Sequence, residues 1–245
     1  NDFCEGNDCA ENRLTDTMRE ISSHEVVRDG LEGMVRDQQI VMLNAIDEVQ
    51  AAGTEYTPSA GGLNYSNSSL GKGLRLTAQL LKAGVPLTVA SLDWNIGWDT
   101  HYNQIAEWAD RFIDQSKSYH SRMLQGATDY LCFWRDMQEM RDDVLVITGT
   151  EFGRTVYENG SFGTDHGQGS TWFAYGGPAR SVVAPDVPNL ADENLLNRRY
   201  MPNVVDYRDM IGEIMIQHMG VDPSMLNALF PTHTFTNYGL FNAAV

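Results

Sequence analysis

Apolar residues recur at every third or fourth position in several stretches of the chain, which is the spacing that places them on one face of a helix. This spacing predicts helices over residues 14–52, 69–82, 103–141 and 206–219. Other stretches are short, rich in β-branched residues and nearly uncharged, and such runs predict buried strands. They cover residues 86–92 and 144–148, with a third candidate at 171–175.

The order of these elements predicts an α/β fold. A strand, a loop, a long helix and a second strand form the pattern of a right-handed crossover, so we expect a mainly parallel sheet flanked by helices. The predicted organisation is a helical N-terminal arm and loop over 1–69, an α/β domain over 70–235, and a tail over 236–245.

Composition and charge restrict the classes of partner. The 245 residues include 17 Lys and Arg against 33 Asp and Glu, a formal net charge of −16. Such a chain has few residues from which to build the basic surface that nucleic acid requires, so we expect no nucleic-acid partner. No apolar run of about 18 residues occurs, which predicts that no segment spans a membrane.

Candidate chemistry is concentrated in two loops that follow predicted strands. One loop contains Asp99 and His101, and the other contains Asp165 and His166, each pair flanked by glycine. Carboxylate oxygens and imidazole nitrogens are ligands of divalent cations such as Zn²⁺ or Mn²⁺, so the two pairs predict a metal or anion site. In the alternative interpretation, the aspartates cap helices or brace turns and the histidines form local hydrogen bonds.

The second loop adds two further candidates, Glu151 and Arg154. Glu151 lies three residues after the predicted strand over 144–148, where it can serve as a metal ligand, a general base or a hydrogen-bond acceptor. Arg154 can bind an oxyanion with its planar guanidinium group. A structural salt bridge from Arg154 to Glu151 or Asp165 is an equally good interpretation.

The cysteines bear on whether the protein lies in an oxidising compartment. Cys4 and Cys9 can close a short disulfide loop in an oxidising compartment, but a reduced pair or a metal contact would have the same spacing. Cys132 lies among apolar and aromatic residues, which predicts a buried, unreactive thiol.

Several motifs in these regions resemble, in order, those of the exported bacterial proteins called domain of unknown function 1501. They are Gly-Trp-Asp-Thr-His at 97–101, Asn-Gln at 103–104, Thr-Glu-Phe-Gly-Arg-Thr at 150–155, Glu-Asn-Gly at 158–160, Gly-Thr-Asp-His-Gly at 163–167 and Asp-Tyr-Arg at 206–208. That family in turn resembles the alkaline phosphatase and sulfatase superfamily, whose members hold one or two divalent metals at the strand ends of an α/β sheet.

The resemblance implies a set of roles. Asp99, His101, Glu151 and His166 would be metal ligands, with Zn²⁺ or Mn²⁺ expected first and Ca²⁺ or Mg²⁺ as alternatives. Asp165 would be a ligand or would orient one. Arg154 would bind the oxyanion of an anionic small-molecule substrate. Phe152 departs from the superfamily pattern, which has a histidine at this position. A complete two-metal site of the superfamily type would include that histidine.

The resemblance also implies export to the periplasm, the cell surface or the medium. Relatives carry a twin-arginine signal and N-terminal strands that hold the nucleophile, and these do not occur in this sequence. We therefore expect that the chain is the C-terminal portion of a longer precursor, that another chain or the rest of the precursor completes its sheet, and that it forms an oligomer. The expected function is metal-dependent hydrolysis of phosphate or sulfate esters.

Other functions remain open. The main alternative is a non-catalytic structural subunit of a cell-surface or extracellular assembly. A module that binds carbohydrate or Ca²⁺ through Trp94, Trp98 and the acidic loops has less support.

Overall fold

The computed structural model describes residues 16–17, 19–20, 31–53, 55–95, 97–104, 119–183 and 188–242. The chain divides into two compact units. Residues 1–58 and 75–92 form the first unit, and residues 59–74 and 93–245 form the second. The predicted boundaries after residues 69 and 235 stay predictions.

Helices form the regular structure of the first unit. Helix α1 covers Leu31–Ala51, and helix α2 covers Ser69–Lys82, with its residues from 75 onward in this unit. Ala78 on α2 is buried, as its apolar spacing predicts. On α1 the buried residue is Leu43, whereas Val41, Met42 and Val49, which the spacing placed on the apolar face, are exposed. The helix predicted over 69–82 has the bounds expected from the sequence, whereas the first part of the helix predicted over 14–52 lies largely outside the described residues.

The strand predicted over residues 86–92 is not formed. These residues have no regular secondary structure, and most of them are exposed. Val89 is 68% exposed and Leu92 is 37% exposed. The prediction was wrong because a β-branched apolar run becomes a strand only when a neighbouring strand accepts its backbone hydrogen bonds.

The second unit contains the paired strands. Strand β1 covers Leu145–Thr148 and strand β2 covers Phe173–Gly176, and they pair antiparallel with Leu145 opposite Gly176. Among the described residues this two-stranded sheet is the only one, and it contains no parallel pair. The mainly parallel, alkaline phosphatase-like sheet therefore stays a prediction.

Helix α3, Tyr119–Asp136, positions a polar loop of the second unit. Its buried face includes the carboxylates of Asp129 and Asp136. Asp129 accepts hydrogen bonds of 2.7 Å from the backbone N–H and the hydroxyl of Ser66, and Asp136 accepts one of 2.7 Å from the N–H of Ser59. These bonds supply the partners that buried carboxylates require. Residues 105–118, the first part of this predicted helix, lie outside the described residues.

Helix α4 covers Tyr207–Gln217, and Asp206 caps its N-terminus by accepting a hydrogen bond from the N–H of Arg208 with its side chain. Met210 and Ile214 on this helix pack with Phe241 in a hydrophobic cluster. The short helix α5, Leu226–Leu229, follows. Single 3₁₀ turns are formed at Gln138–Met140, Asp192–Asn194 and Pro223–Met225. No described helix is both long and apolar enough to cross a membrane.

Two buried carboxylates of α4 hold the C-terminal tail. Glu213, 1% exposed, accepts hydrogen bonds from the backbone N–H groups of Tyr238 at 3.1 Å and Phe241 at 2.9 Å. Asp209, one turn earlier and 3% exposed, accepts a hydrogen bond of 2.6 Å from Nε2 of His233. Because i and i+4 residues share a helical face, one face of α4 binds the tail at both points.

The buried cysteine is confirmed. Cys132 is fully buried and has a free thiol. Burial, followed by the nearby carboxylates of Asp136 and Asp129, raises its pKa to about 11. Cys4 and Cys9 lie outside the described residues, so the choice between a disulfide, a reduced pair and a metal contact is untested.

Candidate metal centre

Backbone hydrogen bonds join the two loops that carry the candidate residues, both of which lie in the second unit. The N–H of Gln104 donates to the carbonyl of Phe162 at 2.8 Å, and the N–H of Thr164 donates to the carbonyl of Thr100 at 3.1 Å. Gly163 lies between these contacts, where a Cβ would collide with the backbone carbonyl of His101. A glycine is therefore required for the close approach of the loops.

A second set of backbone bonds orients Asp165 and His166. Arg154 and His166 form an isolated antiparallel bridge, and the N–H of Thr155 donates to the carbonyl of Asp165 at 2.9 Å. The N–H of Gly167 donates to the carbonyl of Gly153 at 2.7 Å. These bonds fix the backbone on both sides of the Asp-His pair, so its side chains project from a short ladder rather than from an unsupported loop.

Three side chains converge on one point. Oδ1 of Asp99 lies 2.9 Å from Nε2 of His101 and 3.0 Å from Nε2 of His166. One potential ligand atom from each of the three residues lies within 4.8 Å of the others. All three side chains are accessible to solvent, with exposed fractions of 65% for Asp99, 40% for His101 and 52% for His166.

Asp165 orients His101. Nδ1 of His101 lies 3.1 Å from Oδ1 of Asp165. An ionised carboxylate only accepts hydrogen bonds, so Nδ1 carries the proton in this pair. In a neutral ring this leaves the lone pair on Nε2, which faces Asp99. A carboxylate on the second nitrogen is the usual partner of a metal-binding histidine.

Further donors hold Asp165 in place. Nδ2 of Asn159 donates to its Oδ1 at 2.9 Å, and the guanidinium of Arg199 donates to its Oδ2 at 2.7 Å. The hydrogen bond from Asn159, followed by that from His101, holds the pKa of Asp165 below its usual value. Asp165 is therefore anionic at neutral pH, as an acceptor for a histidine N–H must be.

Arg154 bridges the two loops. Its side chain donates to the carbonyl of Thr164 at 2.9 Å, to the carbonyl of Trp98 at 2.9 Å and to Oδ1 of Asp99 at 2.7 Å. The salt bridge is thus to Asp99 and not to the predicted partners Glu151 or Asp165. The hydrogen bond from Arg154 to Asp99, followed by that from His166, lowers the pKa of Asp99. Binding of an oxyanion by Arg154 stays a prediction.

Glu151 is not brought into the group of three. Its side chain is exposed, and within the described residues it makes no hydrogen bond or ion pair. The neighbouring Phe152 packs against the site instead, with its ring centroid 4.4 Å from that of His166. The predicted roles of Glu151 as a ligand or base remain untested.

The structure adds residues to which the sequence analysis gave no role. Asn159 donates both to the carbonyl of His101 and to Asp165, so one amide holds both loops. It belongs to the Glu-Asn-Gly motif, which is the signal that could have identified it. Arg199 lies in an irregular segment, and no motif around it points to the site. Its contact with Asp165 depends on tertiary structure alone.

Residues 21–235 match the family model described as "Protein of unknown function (DUF1501)", and the chain belongs to this family. No curated protein matches the chain. No solved structure matches it either.

Proposed function

We propose that this member of the DUF1501 family binds a divalent cation through Asp99, His101 and His166 and acts as an exported hydrolase of phosphate or sulfate esters. One observation carries the proposal. Nε2 of His101 and Nε2 of His166 lie 2.9 and 3.0 Å from Oδ1 of Asp99. The other ring nitrogen of His101, Nδ1, is hydrogen-bonded to Asp165.

The donor set fits a cation. Two imidazole nitrogens and a carboxylate oxygen are common ligand types for divalent cations, and one atom of each lies within 4.8 Å of the others. Imidazole ligands favour Zn²⁺, and carboxylates also suit Mn²⁺. Ca²⁺ and Mg²⁺ prefer oxygen ligands, so they are the weaker candidates. Because both aspartates have lowered pKa values, the site supplies anionic oxygens at neutral pH.

The chain's own residues would divide the work at this site. A bound cation would polarise the ester and stabilise the charge that develops on it. His101, oriented by Asp165, and His166 would hold that cation. Arg154 would place positive charge beside Asp99, where an anionic substrate group would bind. Glu151 lies three residues before Arg154 in the sequence and is exposed to solvent. It is the proposed general base. No nucleophile is assigned among these residues.

The same proposal has four further parts. They are an alkaline phosphatase-like sheet, its completion by another chain or by the rest of a precursor, oligomer formation, and export. The motif resemblance supports them. The exposed apolar run over 86–92 supports a missing strand partner, because Val89 and Leu92 are solvated there without strand hydrogen bonds. The same observation favours the second candidate function, a structural subunit of an assembly.

Metal analysis combined with an ester assay tests the proposal. Protein dialysed against Zn²⁺ or Mn²⁺ is analysed for bound metal and assayed with 4-nitrophenyl phosphate and 4-nitrophenyl sulfate. The variant is H166A, and the control is H120A, since His120 is an exposed histidine on α3 outside the group. We expect metal and hydrolysis in the wild type and in H120A, and loss of both in H166A.

Each other outcome has a defined meaning. Metal retained by H166A would refute the site. Metal bound at the site without hydrolysis of either ester would refute the hydrolase and leave a binding or structural role. Absence of bound metal in a folded, assembled protein would favour the structural subunit.

A further inference from the structure

One edge of strand β2 has no partner in the part of the chain that the structure describes. The strand pairs with β1 along its other edge, and the two strands form the whole of the described sheet. Within the described residues, the backbone groups of Ala174 and Tyr175 form no hydrogen bond beyond this pairing. An unpaired edge presents N–H and C=O groups in a row, with which a further extended segment can pair.

A groove of about 500 Å³ lies beside this edge. It is lined by residues 174–176 of β2 and by no residue of β1, so it is on the side of β2 away from β1. Helix α3 supplies an apolar wall, in which the rings of Tyr130 and Trp134 lie 5.6 and 6.0 Å from the ring of Tyr175. We call the groove between β2 and these two rings the edge groove. It combines an accessible strand backbone with an apolar surface.

Arg180 adds positive charge to the edge groove. It lines the groove, is exposed, and donates a hydrogen bond of 2.9 Å to the carbonyl of Gly239. Within the described residues no carboxylate contacts it. A guanidinium group has five N–H donors, so most of those of Arg180 are available to an acidic side chain. The edge groove therefore suits an extended segment that carries an apolar side chain and a carboxylate.

A segment of the chain itself has these properties. Residues 88–93, Thr-Val-Ala-Ser-Leu-Asp, are exposed and have no regular secondary structure, and their N–H groups donate no hydrogen bond within the described residues. Val89 is 68% exposed, and no described cation contacts the carboxylate of Asp93. Because side chains alternate along a strand, Val89 and Asp93 would lie on the same face of this segment when it is extended. We call residues 88–93 the open segment.

We propose that the open segment of one copy binds in the edge groove of a second copy. It adds a strand to β2, with Val89 against the rings of α3 and Asp93 paired with Arg180. The inference rests on the oligomer part of the proposed function and does not depend on the cation. Because each copy contains both the segment and the groove, the contact can form twice in a closed dimer.

Three interactions would favour this contact over separate copies. Removal of Val89 and the apolar wall from water is favourable, and the backbone groups of both the edge and the open segment would gain partners. The net charge of −16 repels a second copy, so a specific pair of opposite charges is needed to fix the segment in one register. Arg180 and Asp93 supply that pair.

Charge reversal tests the contact in the full chain. Sedimentation velocity over concentrations of about 1 to 100 µM measures self-association of R180E, of D93R and of their equimolar mixture. In each variant alone the contact joins like charges. In the mixture, both contacts between one variant and the other join opposite charges, so only a contact between two copies can be restored by mixing.

A second variant, V89D, tests the apolar part of the contact. Its matched control is V41D, because Val41 is 60% exposed on α1 and lies outside the open segment. The control for charge is R135E, since Arg135 is exposed on α3 and does not line the edge groove. Circular dichroism verifies that each variant is folded, and titration with Zn²⁺ verifies the cation site separately.

We expect the wild type, V41D and R135E to self-associate equally. V89D should stay monomeric, because a carboxylate would have to lie against the apolar rings. R180E and D93R should each associate about tenfold more weakly, since an attraction is lost and a repulsion of similar size is gained, and their mixture should recover the affinity of the wild type.

The other outcomes overturn the inference. They are a wild type that stays monomeric throughout, association that V89D and R180E leave unchanged, and weakened single variants that do not recover on mixing. The last result would identify a contact within one chain. Each of these results with Zn²⁺ still bound would leave the proposed cation site intact, whereas loss of Zn²⁺ binding in a wild type that associates as expected would refute that site alone.

Discussion

The contact between Asp165 and His101 gives the sharpest test of the metal centre. Replacing Asp165 by Asn removes the negative charge while keeping the size of the side chain. The carboxylate accepts from His101 and Asn159 at one oxygen and from Arg199 at the other. An amide has one acceptor oxygen, so D165N must place its NH₂ group against a donor on one side or the other.

The structure indicates how large the effect should be. Loss of the carboxylate partner removes the group that orients the ring of His101 and fixes the proton on Nδ1. Substitutions at this kind of position reduce metal affinity by about 10- to 100-fold. Asp165 is not in the group of three converging ligands, so the affinity should be reduced rather than abolished. H101A, in contrast, removes a ligand and should abolish binding.

The assay is competition for Zn²⁺ against a chromophoric chelator at fixed pH. The matched control is D192N. Asp192 has a side chain 40% exposed, against 39% for Asp165, and it also forms a salt bridge with an arginine, Arg198. We expect D192N to bind Zn²⁺ like the wild type. A D165N affinity within twofold of the wild type, or an equal loss in D192N, would refute the orienting role of Asp165.

Three further predictions concern stability and reactivity. E213Q should lower the free energy of unfolding by about 1–3 kcal/mol, measured by urea denaturation, because the amide of Gln places a donor against one of two backbone N–H groups; an unchanged midpoint would contradict this. The salt bridge to Arg208 lowers the pKa of Asp206 from 3.8 to about 2, so its ionised form stabilises the fold above pH 3.8 and this contribution is lost as the pH falls towards 2. The difference in urea midpoint between wild type and D206N should therefore shrink over that interval, and a constant difference would exclude the mechanism. With the other two cysteines replaced by serine, Cys132 should react with a thiol reagent at pH 8 only after unfolding, because burial raises its pKa to about 11; rapid reaction of the native protein would refute its burial.

Local spacing was sufficient for much of the helical structure. The helix over 69–82 and most of that over 206–219 follow from a period that each helix expresses within itself. The strand predicted over 86–92 did not form, and the reason is the opposite one. Its side chains suit a sheet, but a strand is defined by a neighbour, and no periodicity within the segment supplies one.

The candidate site shows the same division. Asp99, His101 and His166 were identified from residue type and from their position after predicted strands, and the structure places all three together. Glu151 met the same criteria and lies outside the group. Arg199 met none of them and contacts Asp165. Residue type thus identified candidate ligands but did not select among them.

The sequence by itself determined the local chemistry of this protein: two aspartate and histidine pairs, the glycines that permit close backbone approach, and the apolar faces of its helices. The tertiary structure alone decided that the two pairs meet, since Asp99 and His166 are 67 positions apart along the chain and are joined through backbone bonds between loops. It also decided that Asp165 faces a ring nitrogen while Asp99 faces two. The reason is physical: side-chain type is a local property, whereas the convergence of three ligand atoms within 4.8 Å depends on how distant segments pack.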